Sequence, residues 1–174
     1  MSQKDWTADP FQTARSSAIH LEMRDIYGVA GEAERFALWQ KTGRRNSERD
    51  AAARAGWMTT VRNMVSRGIA VRRARIVSEP VTEYIRYEHA GTAANLNAGE
   101  LVRWLPRRRA ADIALPGTDL WMFDDAAVEF TFFSGDGEVV EREWRTEPEV
   151  IDLVRAAFET VWDRAVPHEE YKIR

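Results

Sequence analysis

The order of hydrophobic periodicities along the chain restricts its fold more than any other sequence feature. Segments with helical spacing of apolar residues fill much of the first half, and short alternating segments separated by turn residues dominate the second half. The predicted order is β-α-α-β-α-β-β-β-β-α. Helices followed by an antiparallel run favour the α+β class, here one domain over residues 1–174 with a mixed sheet of about six strands covered by helices.

Capping and turn residues place the element boundaries. Ser47 with Asp50 resembles a capping box, Gly68 stands where a C′ residue belongs, and Ser134–Gly137 is a strong hairpin signal. The predicted helices cover 32–41, 47–67, a segment opened by Ser78-Glu79-Pro80 and ended by Gly91, and a last helix opened by Pro148. The predicted strands cover 17–24, 69–77, 101–105, 120–123, 128–133 and 138–145, with a turn at 124–127.

Composition excludes several classes of site. The 174 residues contain no cysteine, so the chain has no thiolate nucleophile and no cysteine-based metal site. The three histidines are far apart in sequence, which argues against a histidine metal site, and the common nucleotide and hydrolase motifs are absent. We predict no cofactor, no catalytic residue and no metal. The polar N-terminus and the lack of a long apolar run predict a cytoplasmic protein that does not contact a membrane.

Charge is segregated along the chain although the net charge is only −3. Residues 41–75 contain ten basic and two acidic residues, whereas residues 119–163 contain thirteen acidic and three basic ones. Such segregation fits a bipolar surface that steers partners, or a fold in which the two segments pair with each other.

The first candidate site is basic. Arginines beside a tryptophan can bind phosphates or carboxylates in a bidentate manner while the indole stacks on a ring. A solvated face, or pairing with the acidic segment, is the alternative. The residues are Arg72, Arg73, Arg75, Arg103, Trp104, Arg107, Arg108 and Arg109.

The second candidate is acidic. Asp124 and Asp125 follow an apolar strand, and with Asp119 nearby they could hold a divalent cation through oxygen ligands. Simple capping of the following turn is the alternative interpretation.

The third candidate lies on the helix that begins near Ser78. Tyr84 and Glu88 share a helical face at i,i+4, with Glu79 and Arg86 close in sequence. Half-buried polar groups there need partners, and Arg24 and Arg103 are available. The set is either a ligand pocket or a network that fixes the helix on the sheet.

Four blocks of the sequence resemble the recurring blocks of an actinomycete family of unknown function. They are Leu21–Tyr27, Val77–Tyr84, Arg103–Arg107 and Leu120–Asp125, and the resemblance runs from Phe11 to Tyr171. Members of that family resemble accessory proteins encoded near helix-turn-helix regulators, which implies a regulatory setting.

The element order is also similar to a half-domain of the phospholipase D fold. That superfamily needs H-x-K-x4-D, but aligning Asp124 with the aspartate places Gly117 at the histidine and Asp119 at the lysine. Aligning Asp125 instead gives Thr118 and Leu120. The nucleophile is missing either way, so the resemblance implies a non-catalytic descendant.

These observations favour a non-catalytic regulatory domain that binds a partner protein, such as a helix-turn-helix regulator, or a small anionic ligand. The alternatives are nucleic-acid binding through residues 41–75 and a metal-dependent, phosphoesterase-like enzyme that uses the aspartates. A homodimer is a further option. The residues predicted to bind are Arg24, Glu79, Tyr84, Arg86, Arg103, Trp104, Arg107, Asp124 and Asp125.

Overall fold

A computed structural model describes residue 6, residues 9–28 and residues 31–174 of the chain. Helices are α1 Pro10–Thr13, α2 Ala33–Thr42, α3 Ser47–Ser66, α4 Glu83–Gly91, α5 Ala93–Asn97 and α6 Pro148–Arg164, with a 3₁₀ turn at Arg107–Arg109. Strands are β1 Ser17–Glu22, β2 Ala70–Val77, β3 Leu101–Pro106, β4 Asp119–Phe123, β5 Ala127–Phe133, β6 Val139–Arg145 and β7 Val166–Pro167. The strands form one seven-stranded sheet in the order β6-β5-β4-β1-β2-β3-β7.

The sheet joins a parallel half to an antiparallel half. Strands β1, β2 and β3 are parallel and are connected through α2–α3 and α4–α5, as parallel neighbours require. Strands β4, β5 and β6 form an antiparallel meander that is attached to β1 through β4. The predicted α+β class and mixed sheet are confirmed, and the short strand β7 on β3 is an addition to the predicted strands.

Helices cover the two faces of the sheet unequally. On one face, α6 packs on alternate residues of β1, β2, β3, β4 and β5 through Val154, Phe158 and Val161. On the other face, α3 packs near the start of β2 through Met58, Val61 and Met64, and α4 packs against β3. Central strands covered on both faces bury nearly every side chain, which explains the burial pattern of β2.

The start of α3 differs from the predicted capping box. Asn46 is the N-cap, and its side chain accepts the backbone N–H of Arg49 at 2.9 Å. The side chain of Ser47 lies outside the described part, and Asp50 accepts Arg45 Nε at 2.9 Å. Because the helix begins at Ser47 itself, the residue before it takes the capping role.

The helix predicted to begin at Ser78 begins later. Thr82 is the N-cap of α4 and accepts the backbone N–H of Ile85 at 3.1 Å. The Ser78 hydroxyl instead donates to Asp25 Oδ2 at 2.7 Å, and the peptide bond between Glu79 and Pro80 is cis. The prediction that Ser78 caps this helix was wrong, because the Ser78 hydroxyl binds Asp25. That contact is distant in sequence, so local patterns do not indicate it.

The two charged segments do not neutralise each other. Among the ion pairs of the described residues, Arg72 with Glu159 at 2.6 Å joins residues 41–75 to residues 119–163. The other paired arginines of the basic segment bind Asp50 within that segment, Glu22 of β1, Glu88 of α4 or Glu100 before β3. No helix in the described ranges is long and apolar enough to cross a membrane.

The predicted turn after β4 is present, and Asp124 anchors it. Asp124 and Asp125 both adopt the left-handed conformation, with φ of 54° and 49°. The Asp124 carboxylate accepts the backbone N–H groups of Arg15, Ser16 and Ser17 at 2.8 to 3.1 Å, which ties the start of β1 to the end of β4.

Replacing Asp124 with glycine should therefore destabilise the protein by about 1–3 kcal/mol more than replacing Asp125 with glycine, because three backbone N–H groups lose a charged acceptor. Glycine suits a positive φ at both positions, so the pair isolates the hydrogen bonds. Urea unfolding of D124G and D125G measures the difference, and equal stabilities would contradict it.

Candidate binding groove

A network of charged side chains lies between the sheet and helices α4 and α5. Arg73 donates from Nε to Glu100 at 2.6 Å and from Nη1 to Glu22 at 2.9 Å. Arg75 lies 2.7 Å from the second oxygen of Glu22 and donates to Glu88 of α4 at 2.8 Å. The carboxylate of Glu22 thus bridges the two arginines of β2.

The network is buried and extends to the helices. Glu100 is fully inaccessible to solvent, and Arg75 and Arg73 are 5% and 8% exposed. Asn95 of α5 donates to Glu100 at 2.6 Å. Burial lowers the pKa of Arg73, but the carboxylates of Glu100 and Glu22 outweigh burial and hold it above its ordinary value. Both arginines are therefore charged and fully committed to internal partners.

Of the two interpretations of the β2 arginines, the contacts favour pairing with carboxylates over contact with a ligand. Arg73 and Arg75 alternate with apolar residues on a strand that helices cover on both faces. Arg72 points to the opposite face, where it pairs with Glu159 and lies 5.0 Å from the Phe158 ring centroid. None of the three is directed toward a ligand.

Beside the network, the face of the sheet that bears it is open and forms a groove. A cavity of about 360 Å³ lies over β1, β4, β5 and β6 and takes no lining residue from α2 to α6. Its lining residues are Pro10, Phe11, His20, Glu22, Tyr27, Asp119, Trp121, Glu129, Thr131, Phe133, Val139 and Arg142. Cross-strand pairing brings them together, since Trp121 is opposite both His20 and Glu129, and Thr131 is opposite both Asp119 and Arg142.

Asp119 is the buried carboxylate of this groove. It is 3% exposed and accepts the Tyr27 hydroxyl at 2.5 Å and the backbone N–H of Met23 at 2.8 Å. Burial raises the pKa of Asp119 to about 6, although the hydrogen bond from Tyr27 opposes that shift. Burial also raises the pKa of Glu129. The surroundings of Asp119 and Glu129 thus do not fully offset the cost of burying their negative charges.

A second cavity of about 730 Å³ adjoins the first at Tyr27, Phe133 and Val139. Four aromatic rings line it, together with the carboxylates of Glu32 and Glu138. The rings are those of Tyr27, Phe36, Tyr84 and Phe133. We call these four rings the aromatic cage, and the two cavities together the acidic groove.

Local contacts hold the cage in place. Tyr84 donates its hydroxyl to Glu32 at 2.9 Å, and burial raises the pKa of Glu32. Gly28 donates its N–H to the carbonyl of Gly137 at 2.9 Å, which fixes the β5–β6 hairpin against the segment after β1. Gly137 has a φ of 88°, and a Cβ there would lie 3.1 Å from the nitrogen of Gly28, so this approach requires glycine.

The structure distributes the residues predicted to bind over several places. Tyr84 lines the groove. Arg24 does not line it, but its guanidinium carbon lies 5.1 Å from the centroid of the Phe133 ring, which does. Arg107 donates to Ser78 and Asp25 at the ends of the parallel strands. Glu79 accepts a hydrogen bond from the Tyr171 hydroxyl. Arg86 is exposed on α4. Asp124 anchors the turn described above, and exposed Asp125 lies 3.6 Å from Arg155.

Arg103 and Trp104 do not contribute to one site. Arg103 points to α6, where it lies 4.5 Å from the Trp162 ring centroid, whereas Trp104 points to the opposite face and donates to His168 at 3.1 Å. Successive residues of a strand point to opposite faces, so the two side chains cannot contact one ligand. The partners expected for the polar groups of α4 also differ, since Glu88 binds Arg75 and Tyr84 binds Glu32.

The aspartates considered as cation ligands do not meet. Asp119 is the first residue of β4 and Asp124 follows its last, so five residue steps of extended chain, about 17 Å, separate them. No group of three or more His, Asp or Glu side chains within the described ranges is arranged to hold a metal ion.

Sequence reasoning missed most of the groove. No local motif unites the lining residues, which come from β1, α2, β5 and the segment between β1 and α2: Glu22, Tyr27, Glu32, Phe36, Glu129 and Phe133. The sequence carries no local signal for Glu22, because its alternation with Leu21 and Met23 places it on the polar face of the strand.

The family model of a domain of unknown function, DUF6879, matches residues 5–173. The chain belongs to this family. The prediction of a family of unknown function is confirmed, whereas the relationship to the phospholipase D fold stays a prediction. No curated protein sequence matches the chain.

Among solved structures, the chain is similar to TrmBL2, described as an archaeal chromatin protein that shows a novel mode of DNA binding. The two are 12% identical with a TM-score of 0.47, and the match covers 92% of this chain and 49% of that one. The chain thus spans about half the length of TrmBL2. No inference about DNA binding follows from a likeness of this size.

The titration of Asp119 is the first testable property of the groove. Its pKa in the folded protein, about 6, exceeds its ordinary value of 3.8, so the folded state binds this proton more tightly than the unfolded state. The stability that Asp119 contributes is full below pH 3.8 and is lost as the pH rises through about 6.

Replacing Tyr27 with phenylalanine should raise the pKa of Asp119 further, because the hydroxyl stabilises the carboxylate. Carboxyl-carbon NMR titration measures the change, and Y84F, which removes a hydroxyl bound to Glu32 instead, is the matched control. A pKa that is unchanged or lower in Y27F would show that the hydrogen bond does not act on Asp119.

Proposed function

We propose that this protein is a cytoplasmic, non-catalytic regulatory domain that binds a partner protein through the acidic groove. The observation that carries the proposal is an open part of the sheet, with aromatic rings and incompletely compensated carboxylates, beside the part that helices cover. A cavity with apolar walls and a few converging polar groups is the usual form of a binding site.

The polar groups of the groove favour binding over chemistry. Glu22 is held by two arginines, and Asp119 by a tyrosine and a backbone N–H. The two arginines neutralise Glu22, whereas the neutral donors of Asp119 leave a fixed negative charge for a positively charged partner surface. A helix-turn-helix regulator, which the family resemblance implies, is the first partner to test, since DNA-binding proteins carry basic surfaces.

A small anion is the second candidate ligand, and it fits a different place. A cavity of about 360 Å³ beside Glu79 and Tyr171 is lined by Arg108, Arg109, Lys172 and Arg174. Arginine and lysine side chains that surround a cavity can hold a phosphate or carboxylate. This cavity keeps Glu79 of the predicted set, but Arg24, Arg86 and Arg103 do not line it.

Nucleic-acid binding depends on the basic residues that the interior does not use. Of the basic residues in 41–75, Arg45, Arg54, Arg72, Arg73 and Arg75 contact internal acceptors. The exposed remainder includes Lys41, Arg44, Arg49 and Arg62. This alternative predicts steep loss of binding with salt, because phosphate contacts release counterions.

Site-specific photocrosslinking tests the proposal. A benzoylphenylalanine at Val139, which is 49% exposed on the groove wall, should crosslink to the helix-turn-helix regulator encoded nearest to this protein. The same residue at Leu153, which is 50% exposed on α6, is the control and should not crosslink.

Equal crosslinking from the two positions, or crosslinking from Leu153 alone, would refute the role of the groove. No crosslink to the regulator, with a salt-sensitive gel shift of duplex DNA, would favour the nucleic-acid alternative.

A further inference from the structure

The aromatic cage has the geometry of a cation site. The ring centroids of Tyr27 and Phe133 are 5.5 Å apart, those of Phe36 and Tyr84 5.4 Å, and those of Tyr27 and Tyr84 6.0 Å. The rings are inclined to one another by 68°, 72° and 49°, so they are not stacked, and all four line the cavity of about 730 Å³.

The cage also carries the charge that a cation needs. Glu32 lines it beside Tyr84, and Glu138 lines it beside Gly137. The electron-rich faces of aromatic rings attract cations, and aromatic cages are the usual receptors for ammonium groups. One of these rings already attracts a cation of the protein itself, since the Arg24 guanidinium lies 5.1 Å from the Phe133 ring centroid.

The inclination of the rings distinguishes between types of cation. A guanidinium is planar and stacks on one flat face, whereas an ammonium group is compact and can contact several inclined faces at once. Carboxylates accept hydrogen bonds, so Glu32 and Glu138 of the lining add acceptors for the N–H groups of an ammonium. The cage therefore suits an ammonium group better than a guanidinium.

We propose that the aromatic cage binds an alkylammonium group, such as a lysine side chain of the partner protein. This inference rests on the proposed function for the identity of the partner, but the cage chemistry can be tested without the partner.

The probe is n-butylammonium chloride, with n-propylguanidinium chloride and neutral 1-pentanol as comparators of similar size. Ring-proton shifts of Tyr27 and Phe133 in NMR titrations report occupancy. Butylammonium should bind in preference to both comparators, and sodium chloride at the same concentration should leave the rings unshifted. Equal binding of 1-pentanol would show an unspecific apolar pocket and overturn the proposal.

Adjacent phenylalanines of β5 provide a matched pair of variants. Phe133 lines the cage, whereas Phe132 points to the other face and is 36% exposed. F133L should weaken butylammonium binding about 2- to 30-fold, the range expected for loss of a cation–π contact. F132L should leave binding unchanged. Glu32→Gln tests the charge in a second way and should also weaken binding.

The outcomes separate the two proposals. Crosslinking of the regulator at Val139 without butylammonium binding would overturn the cage inference and leave the binding role of the groove intact. Butylammonium binding that F133L and Glu32→Gln weaken, without any crosslink, would support the cage and refute the proposed partner. Binding that F132L weakens as much as F133L would place the cation elsewhere.

Discussion

The bridge from Glu22 to Arg73 and Arg75 is the interaction on which the arrangement of the molecule depends. Through Glu100 and Glu88 it connects the centre of the sheet to α5 and α4, so it sets the position of the helical layer relative to β1 and β2. Removing one member would leave a buried charge without its partner, which typically costs about 3–5 kcal/mol. One side of Glu22 faces this network and the other borders the acidic groove.

This internal use of arginines explains the electrostatic character of the groove. Charge is unevenly distributed along the sequence because many arginines of residues 41–75 neutralise carboxylates of the interior. In the described part, a single ion pair joins this segment to the acidic residues 119–163. The acidic residues of β4 and β5 therefore retain uncompensated charge. Burial then raises the pKa of Asp119 and Glu129, which a cationic partner would counteract.

The sequence predicted those features that short-range patterns control. The periodicity of α3 and α6, the Ser134–Gly137 hairpin and the order of the main strands are local, and each is present. The groove was not predictable in this way, because Tyr27 meets Asp119, and Tyr84 meets Glu32, only through long-range packing. Alternation on β2 indicated a strand but not that helices cover both faces, so the internal partners of its arginines were not predictable from the sequence.

The aromatic cage is the feature by which we propose that the protein receives an ammonium group. Intermolecular NOEs between n-butylammonium and the protein test it most directly, because they locate the cation. We expect NOEs from the butylammonium methylene next to the nitrogen to the ring protons of Tyr27, Phe36 and Phe133. NOEs confined to other surfaces, such as exposed carboxylates of α6, would contradict it.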